Sequence, residues 1–373
     1  MAEEKSKRLL SLDVFRGMTI AGMILVNNPG TWSDIYPPLK HAEWHGCTFT
    51  DLIFPFFLFI VGVAINLSLS KRKERGDDQL KLILQIIRRG ATLFLLGLIM
   101  AGFPHYNLSE IRIPGVLQRI GVVYIIASLI FLKSSTKTQV YITAVLLLGY
   151  WAVMALIPVP GVGYANFEKG TNLSAWLDSI ILKGHMWKVT NTWDPEGVLS
   201  TIPAIATSLI GVLTGKWLSS GKDKTLITVW LLISGLILTA LGYFWSAFFP
   251  LNKNIWTSSY VLYTGGLALC FLGFSYWFID VLGYKKWFKP FEVYGMNAIT
   301  VFFLSGMVAR IMGLIKITGS NGTEVTLQRF LFENLFLSWL QPINASLAWA
   351  ITYIVIWLGL MWILYAKKIF IKV

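Results

Sequence analysis

The stretch "KHAEWHG", residues 40–46, places His41, Glu43 and His45 within five positions, directly ahead of the apolar run "LIFPFFLFIVGVAI". Imidazoles beside a carboxylate serve two chemistries, metal ligation and proton transfer near neutral pH. A zinc-protease helix needs H-E-x-x-H, with the glutamate directly after the first histidine. Here the order is H-A-E-W-H, which turns Glu43 to another face. No cysteine or histidine cluster elsewhere completes a ligand set, so no metal is expected. His41 is then either an exposed loop residue or an acid–base group held at the mouth of the apolar segment. Asp51, ten residues later, could orient and charge-stabilise a nearby imidazolium. As the residue that opens a helix it could equally be an N-cap.

Other polar residues lie inside apolar runs, where an ionisable group is costly and a functional candidate by default. Asp13 and Arg16 stand three apart, share a helix face and could pair. Asn27 and Asn28 end the same run, beside "PG". Arg88 and Arg89 lie about two turns inside the third run, where snorkelling to lipid phosphate would suffice to explain them. Arg119 and Arg310 sit deeper or nearer the other end. Together these five arginines could serve anionic ligands.

The elements that carry these residues are membrane helices. Of 373 residues 55% are hydrophobic and 14% charged, with a mean hydropathy of +0.63, far from the balance of a soluble domain. Stretches of about 20 apolar residues, enough to cross roughly 30 Å of hydrocarbon, recur at 13–28, 50–69, 82–102, 115–132, 139–157, 198–218, 225–249, 258–281, 294–315 and 346–366. The pattern predicts an all-α polytopic integral membrane protein with about ten transmembrane helices, forming a single domain over 1–373 without internal repeats. Lys5, Lys7 and Arg8 precede the first run, but Arg16 interrupts it and no small-residue cleavage site follows, so it reads as an uncleaved helix. Cys47 and Cys270 are too far apart in sequence to suggest a disulfide framework.

The formal charge of +13 could suggest nucleic acid, but its distribution fits a membrane better. Nineteen lysines and arginines fall in one set of alternating loops and termini, including Lys5, Lys7, Arg8 and Lys372, and eight in the other. By the positive-inside rule both termini are cytoplasmic. Counting "LQRFLFENLFLSWL", 327–340, as a further span would put the basic C-terminus outside, so it reads as an amphipathic surface helix. Trp217, Tyr243, Trp245 and Trp362 suit interfacial belts. The one long connection, 158–197, falls outside, and Tyr164, Phe167, Trp176, Trp187 and Trp193 make it an ordered extracytoplasmic cap loop.

The string "LLSLDVFRGMTIAGMILVNNPG … KHAEWHGCTFTDLIFPFFLFIVGVAI" resembles the transmembrane catalytic region of the heparan-α-glucosaminide N-acetyltransferase family and its bacterial homologues. "IRIPGVLQRIG", "PVPG", "DPEGVLSTIPAIATSLIGVLTGKWL", "NIWTSSYVL", "YGMNAITVF" and "LYAKKIFIKV" follow in the same order, so the resemblance covers essentially the whole chain. The lysosomal enzyme's lumenal domain and preceding helix have no counterpart in this sequence. The resemblance implies a multi-pass protein of the bacterial inner membrane, possible as a homodimer, that moves acetyl from cytosolic acetyl-CoA to the amine of a glucosamine-type sugar on the far side. The family's active histidine carries over to His41. His45 stands where the family usually has Asn and is not expected to be catalytic. His41 would be a general base or an acetyl carrier, with Asp51 orienting it. Asn27 or Asn28 would donate to the oxyanion or merely cap a helix. Arg16, Arg88, Arg89 and Arg119 are the candidates for holding CoA. Asp194 and Glu196 of "DPEG" could bind sugar hydroxyls or the cationic amine, with Trp193 or Trp187 stacked on the ring. "DPEG" also suits a helix start, with Pro following a capping Asp. The expected partners are an amino-sugar or glycan acceptor and membrane lipid, with no nucleic acid and no metal. Two other readings stay open, an amino-sugar or sugar transporter and a glycan O-acyltransferase.

Overall fold

The computed structural model describes residues 9–319 and 322–371. Lys5, Lys7, Arg8 and Lys372 of the charge pattern lie outside them. In chain order the helices are α1 (Leu10–Asn27), α2 (Phe49–Glu74), α3 (Gln79–Gly102), α4 (Val116–Lys133), α5 (Thr136–Leu156), α6 (Leu173–Ile181), α7 (Thr201–Leu218), α8 (Lys224–Trp245), α9 (Ser258–Tyr276), α10 (Lys289–Met296), α11 (Ala298–Leu314), α12 (Leu327–Phe332) and α13 (Pro342–Ala366). A small antiparallel hairpin, β1 (Lys316–Thr318) and β2 (Glu324–Thr326), lies between α11 and α12. Among the described residues nine helices are long and apolar enough to cross a membrane, or ten if the bent pair α10–α11 counts as one span. The protein is therefore an all-α polytopic membrane protein.

The structure departs from an unbroken span at 294–315. The chain bends by 72° between the two parts, because Asn297 leaves helical geometry with φ −123° and ψ 38°. Its side chain donates to the Ile369 carbonyl (3.1 Å) and accepts from the Ile371 amide (2.8 Å), so the C-terminal segment satisfies the break. The segment 327–340 is a short helix running into a π-turn, and Phe332 and Phe336 meet Trp349 of α13 edge-on. Trp245 packs edge-on against Trp151.

The chain forms two compact units, and the boundaries between them fall in the loops before α2 and α8 and inside α8 and α9. Among the described residues, one comprises 9–40, 222–232, 270–319 and 322–371, the other 41–221 and 233–269. In the first, α1 packs on α10, where Gly17 and Gly295 bring the backbones together: a Cβ on Gly17 would meet the Phe291 carbonyl oxygen at 1.8 Å. In the second, α2 and α7 form the central pair. A Cβ on Gly62 would lie 1.9 Å from the Ser208 carbonyl oxygen, and one on Gly211 would lie 2.1 Å from that of Phe59. Small residues let membrane helices approach this closely, and Ser208 Oγ adds a hydrogen bond to the Leu58 carbonyl (2.8 Å). Around this pair, α3 turns Leu80, Leu84, Ile87, Leu95 and Ile99 outward, the apolar face a lipid-facing helix requires. The caps are local: Asp78 for α3, Ser135 for α5 and Asn172 for α6.

Candidate active site

The second unit assembles a histidine–carboxylate pair at the start of α2. Thr48 and Asp51 form a reciprocal capping box, so Thr48 is the N-cap and Asp51 the third helical residue. Asp51 Oδ2 accepts hydrogen bonds from the Thr48 amide, the Thr48 hydroxyl and the Ala42 amide, each at 3.0 Å. Those bonds fold the 42–48 loop back over the helix end and carry His41 to the other carboxylate oxygen, with Nδ1 2.6 Å from Asp51 Oδ1. The Asp51 side chain is 2% exposed and that of His41 50%. A carboxylate only accepts, so the neutral imidazole carries its proton on Nδ1 and keeps a lone pair on Nε2. That is the form a base or nucleophile needs.

Pro55 supports the pair from inside α2. It has no amide hydrogen, which leaves the Asp51 carbonyl four residues earlier without its helical donor. The hydroxyl of Tyr260, buried on α9, fills that place.

A third group reaches the imidazole from the 250–257 turn. Lys253 Nζ lies 3.2 Å from Nδ1 and 3.3 Å from Nε2 of His41, and 3.9 Å from Asp51 Oδ1, with its side chain 18% exposed. Asn252 holds the turn by accepting from the Asn254 and Ile255 amides, and the Gly46 amide ties it to the histidine loop through the Leu251 carbonyl (2.7 Å). Burial depresses the Lys253 ammonium below its ordinary pKa, while Asp51 and Glu196 oppose that shift. Cys47 is no rival nucleophile, since burial and Asp51 push its thiol up to about 12. His45, whose Nδ1 is 3.4 Å from Asn252 Nδ2, has its pKa lowered by burial.

The "DPEG" residues form a separate polar node. Arg112 grips Asp194 through Nε (2.9 Å) and Nη2 (2.6 Å) and reaches Glu196 at 2.6 Å, while Trp187 lies against its guanidinium at 5.5 Å. Desolvation opposes the Arg112 charge, but the two carboxylates prevail and raise its pKa. Asp178 of α6 accepts the Asp194 and Val198 amides, and its burial lifts the carboxyl to about 6. Trp193 is buried edge-on against Trp44 at 5.1 Å, and the Trp44 indole donates to the Phe167 carbonyl at 2.8 Å. Arg119 is buried in the first turn of α4 over Trp256. Its Nη2 donates to the Gly197 carbonyl and Ser200, and its Nε and Nη1 find no protein partner.

At the other end of α2 lies a cavity of about 860 Å³, lined by Asn66, Ser70 and Lys73 of α2, by Ser134, Thr136 and Gln139, and by Lys216 of α7, among others. The Lys73 ammonium donates to the Phe131 (2.6 Å) and Ser134 (2.8 Å) carbonyls.

The structure thus brings His41 and Asp51 together, and it groups Asp194, Glu196 and Trp187 around Arg112. Arg88 and Arg89 are exposed on α3, outside the cavity lining, with Arg89 over Tyr124. Arg16, Asn27 and Asn28 belong to the first unit. Arg16 pairs with Asp13 at 3.1 Å, and Asn28 donates to the Ile24 carbonyl at the end of α1. Lys253, Arg112, Lys73 and Lys216 were visible in the sequence only as loop and helix-end charges, with no spacing to mark them.

A family model described as "Heparan-alpha-glucosaminide N-acetyltransferase, catalytic" matches residues 8–243. The heparan-alpha-glucosaminide N-acetyltransferase of Homo sapiens is 32% identical over an alignment covering 98% of this chain and 60% of that protein. That of Mus musculus is 31% identical, covering 99% and 61%. The chain therefore spans about three-fifths of the length of these relatives.

Proposed function

The chain belongs to the heparan-α-glucosaminide N-acetyltransferase catalytic family, and on that premise we propose that it is a membrane acetyltransferase. Acetyl passes from acetyl-CoA, a substrate entering from the cytoplasm, to the amine of a glucosamine-type sugar on the opposite side. The observation that carries this reading is the half-exposed imidazole of His41, anchored through Nδ1 to a buried carboxylate, with Nε2 free of any carboxylate and 3.3 Å from the Lys253 ammonium. In that position Nε2 takes the proton of the attacking amine, general-base help worth about 10²–10⁴-fold, or accepts the acetyl group and passes it on.

The cavity at the far end of α2 suits the charged end of the donor. Lys73 and Lys216 line it beside hydroxyl and amide side chains, the donors that phosphates require. The helix from Asp51 to Lys73 is about 33 Å long at about 1.5 Å per residue, comparable with the hydrocarbon layer of about 30 Å. Phosphates held at one end and an imidazole at the other leave only the slim pantetheine arm to bridge the depth. Arg119, with Nε and Nη1 unmatched in a buried site, offers donors to a carbonyl or anionic group along the way. Asp194, buried and bonded through both oxygens to Arg112, keeps that guanidinium and Glu196 in register, while Glu196 and the exposed face of Trp187 meet the sugar. The positive-inside charge pattern supports the reading that this chemistry faces outward, and the resemblance to bacterial homologues supports an inner-membrane setting.

The test is transport-coupled transfer in proteoliposomes. With acetyl-CoA supplied on the cytoplasmic face and glucosamine on the other, N-acetylglucosamine is expected only from the acceptor compartment, and His41→Ala is expected to abolish it in a protein that still folds. A sugar transporter would move glucosamine unmodified and would overturn the proposal, as would product that forms only when both substrates share one side.

A further inference from the structure

We propose that Lys253 is a catalytic residue, the cation that receives the negative charge of the acyl-transfer intermediate while His41 handles the proton. This rests on the acetyltransferase reading above. Its ammonium nitrogen lies 3.3 Å from Nε2, the reacting nitrogen, and nearly the same distance from Nδ1. Since the Nδ1 proton is committed to Asp51, the lysine cannot share a proton along that bond. In the resting site the ammonium can donate to the Nε2 lone pair, and a substrate carbonyl brought within reach of Nε2 comes within reach of the same ammonium.

The electrostatics make a merely structural role costly. Taking an ammonium out of water carries a penalty of several kcal/mol unless a carboxylate lies close. Among the described residues the carboxylate within salt-bridge range is Asp51, at 3.9 Å, and its oxygens already accept from His41, Ala42 and Thr48. The charges that bear on Lys253 from the surrounding elements are those of Asp51 on α2, Cys47 in the histidine loop, Arg119 on α4 and Glu196 before α7; His41 touches it directly. The turn does not need a cation to form, since Asn252, Thr257 and Pro250 bond it together. It is nevertheless closely specified: Trp256 adopts a left-handed φ of +49°, unusual for a bulky residue, and its backbone N–H donates a hydrogen bond to the Lys253 carbonyl (3.2 Å). A strained, fully bonded turn that presents a poorly compensated ammonium to a reacting imidazole is the kind of arrangement found at functional sites.

In the direct route, the neutral amine of the acceptor attacks the thioester carbonyl carbon. The new C–N bond forms as the carbonyl π pair moves onto oxygen, where the Lys253 ammonium donates to it, and the amine proton passes to Nε2. When the oxygen pair returns, the C–S bond breaks, and the departing thiolate takes the proton from the imidazolium to give CoA thiol and the amide. If His41 carries the acetyl group, the same oxyanion forms once in each half-reaction and meets the same donor. The cation has a second effect, since it disfavours a neighbouring ammonium and so selects the acceptor in its neutral, nucleophilic form.

The sign of the pH dependence follows. Lys253 works while protonated, so activity falls as pH rises through its pKa, which burial places below the ordinary 10.5. The experiment compares the unmodified protein with Lys253→Met, Lys253→Gln and Lys253→Arg, measuring kcat, the KM for acetyl-CoA, and the pH profile. Both neutral variants are expected to lose about 10²–10³-fold in kcat, with the donor KM within about threefold and an unchanged elution profile. Lys253→Arg, keeping a cation that does not titrate, is expected to recover at least about tenfold of that loss and to lack the alkaline fall. Transfer undiminished in both neutral variants, or an identical alkaline limb in Lys253→Arg, overturns the role of Lys253 while leaving the acetyltransferase reading intact. No transfer by the unmodified protein overturns both.

Discussion

Asp51 joins folding and chemistry in one side chain. One oxygen closes the capping box of α2 and gathers the histidine loop, and the other holds the imidazole. Asn at this position keeps the size but offers an amide that can donate to Nδ1, which favours the wrong tautomer and removes the charge that stabilises an imidazolium. Asp51→Asn is therefore expected to lower kcat by about 10²–10⁴-fold with a nearly unchanged donor KM. A fall confined to KM would instead mean that Asp51 serves binding. Lys253 sits at the same residue scale, and its two contacts, His41 and Asp51, explain why neither charge alone describes the site: a carboxylate that favours the imidazolium stands beside a cation that opposes it.

At the scale of elements, the site depends on how α2 compensates for an internal proline. Pro55 frees the Asp51 carbonyl, and Tyr260 of α9 supplies the missing donor. Tyr260→Phe retains the ring, which stacks edge-on at 5.4 Å from Trp256, but leaves a buried carbonyl unsatisfied, a loss of about 1–3 kcal/mol. The expected result is a lower thermal transition together with reduced kcat, because the carbonyl belongs to the residue that aims His41. Unaltered melting would show that α2 does not need this bond. The central pair α2 and α7 sets the distance on which such contacts depend, since Gly62 and Gly211 leave room for carbonyl oxygens where any side chain would intrude.

For the whole molecule, the proposed division of labour puts anion recognition and acyl chemistry at opposite ends of one helix. Reversing the charge at the cavity, with Lys73→Glu and Lys216→Glu together, is expected to raise the acetyl-CoA KM by about tenfold or more through lost phosphate contacts, and to leave the acceptor KM unchanged. An equal rise for both substrates would place the donor elsewhere. What the sequence determined by itself is what depends on one segment: which runs are apolar enough to cross a membrane and where charge alternates along the chain; it left His41 between a loop residue and an acid–base group, and Asp51 between an N-cap and the carboxylate that orients it. What only the tertiary structure decided is what depends on distant segments meeting. Lys253 stands 212 residues from His41, Tyr260 209 residues from Asp51, and Arg112 82 from Asp194. Hydropathy and periodicity report the solvent preference of a single stretch, so they carried the helices but missed the break at Asn297, whose cost is repaid by a strand of chain more than seventy positions away. Which loops converge is set by helix packing, through contacts such as those of Gly62 and Gly211, and that packing is invisible until the chain has folded.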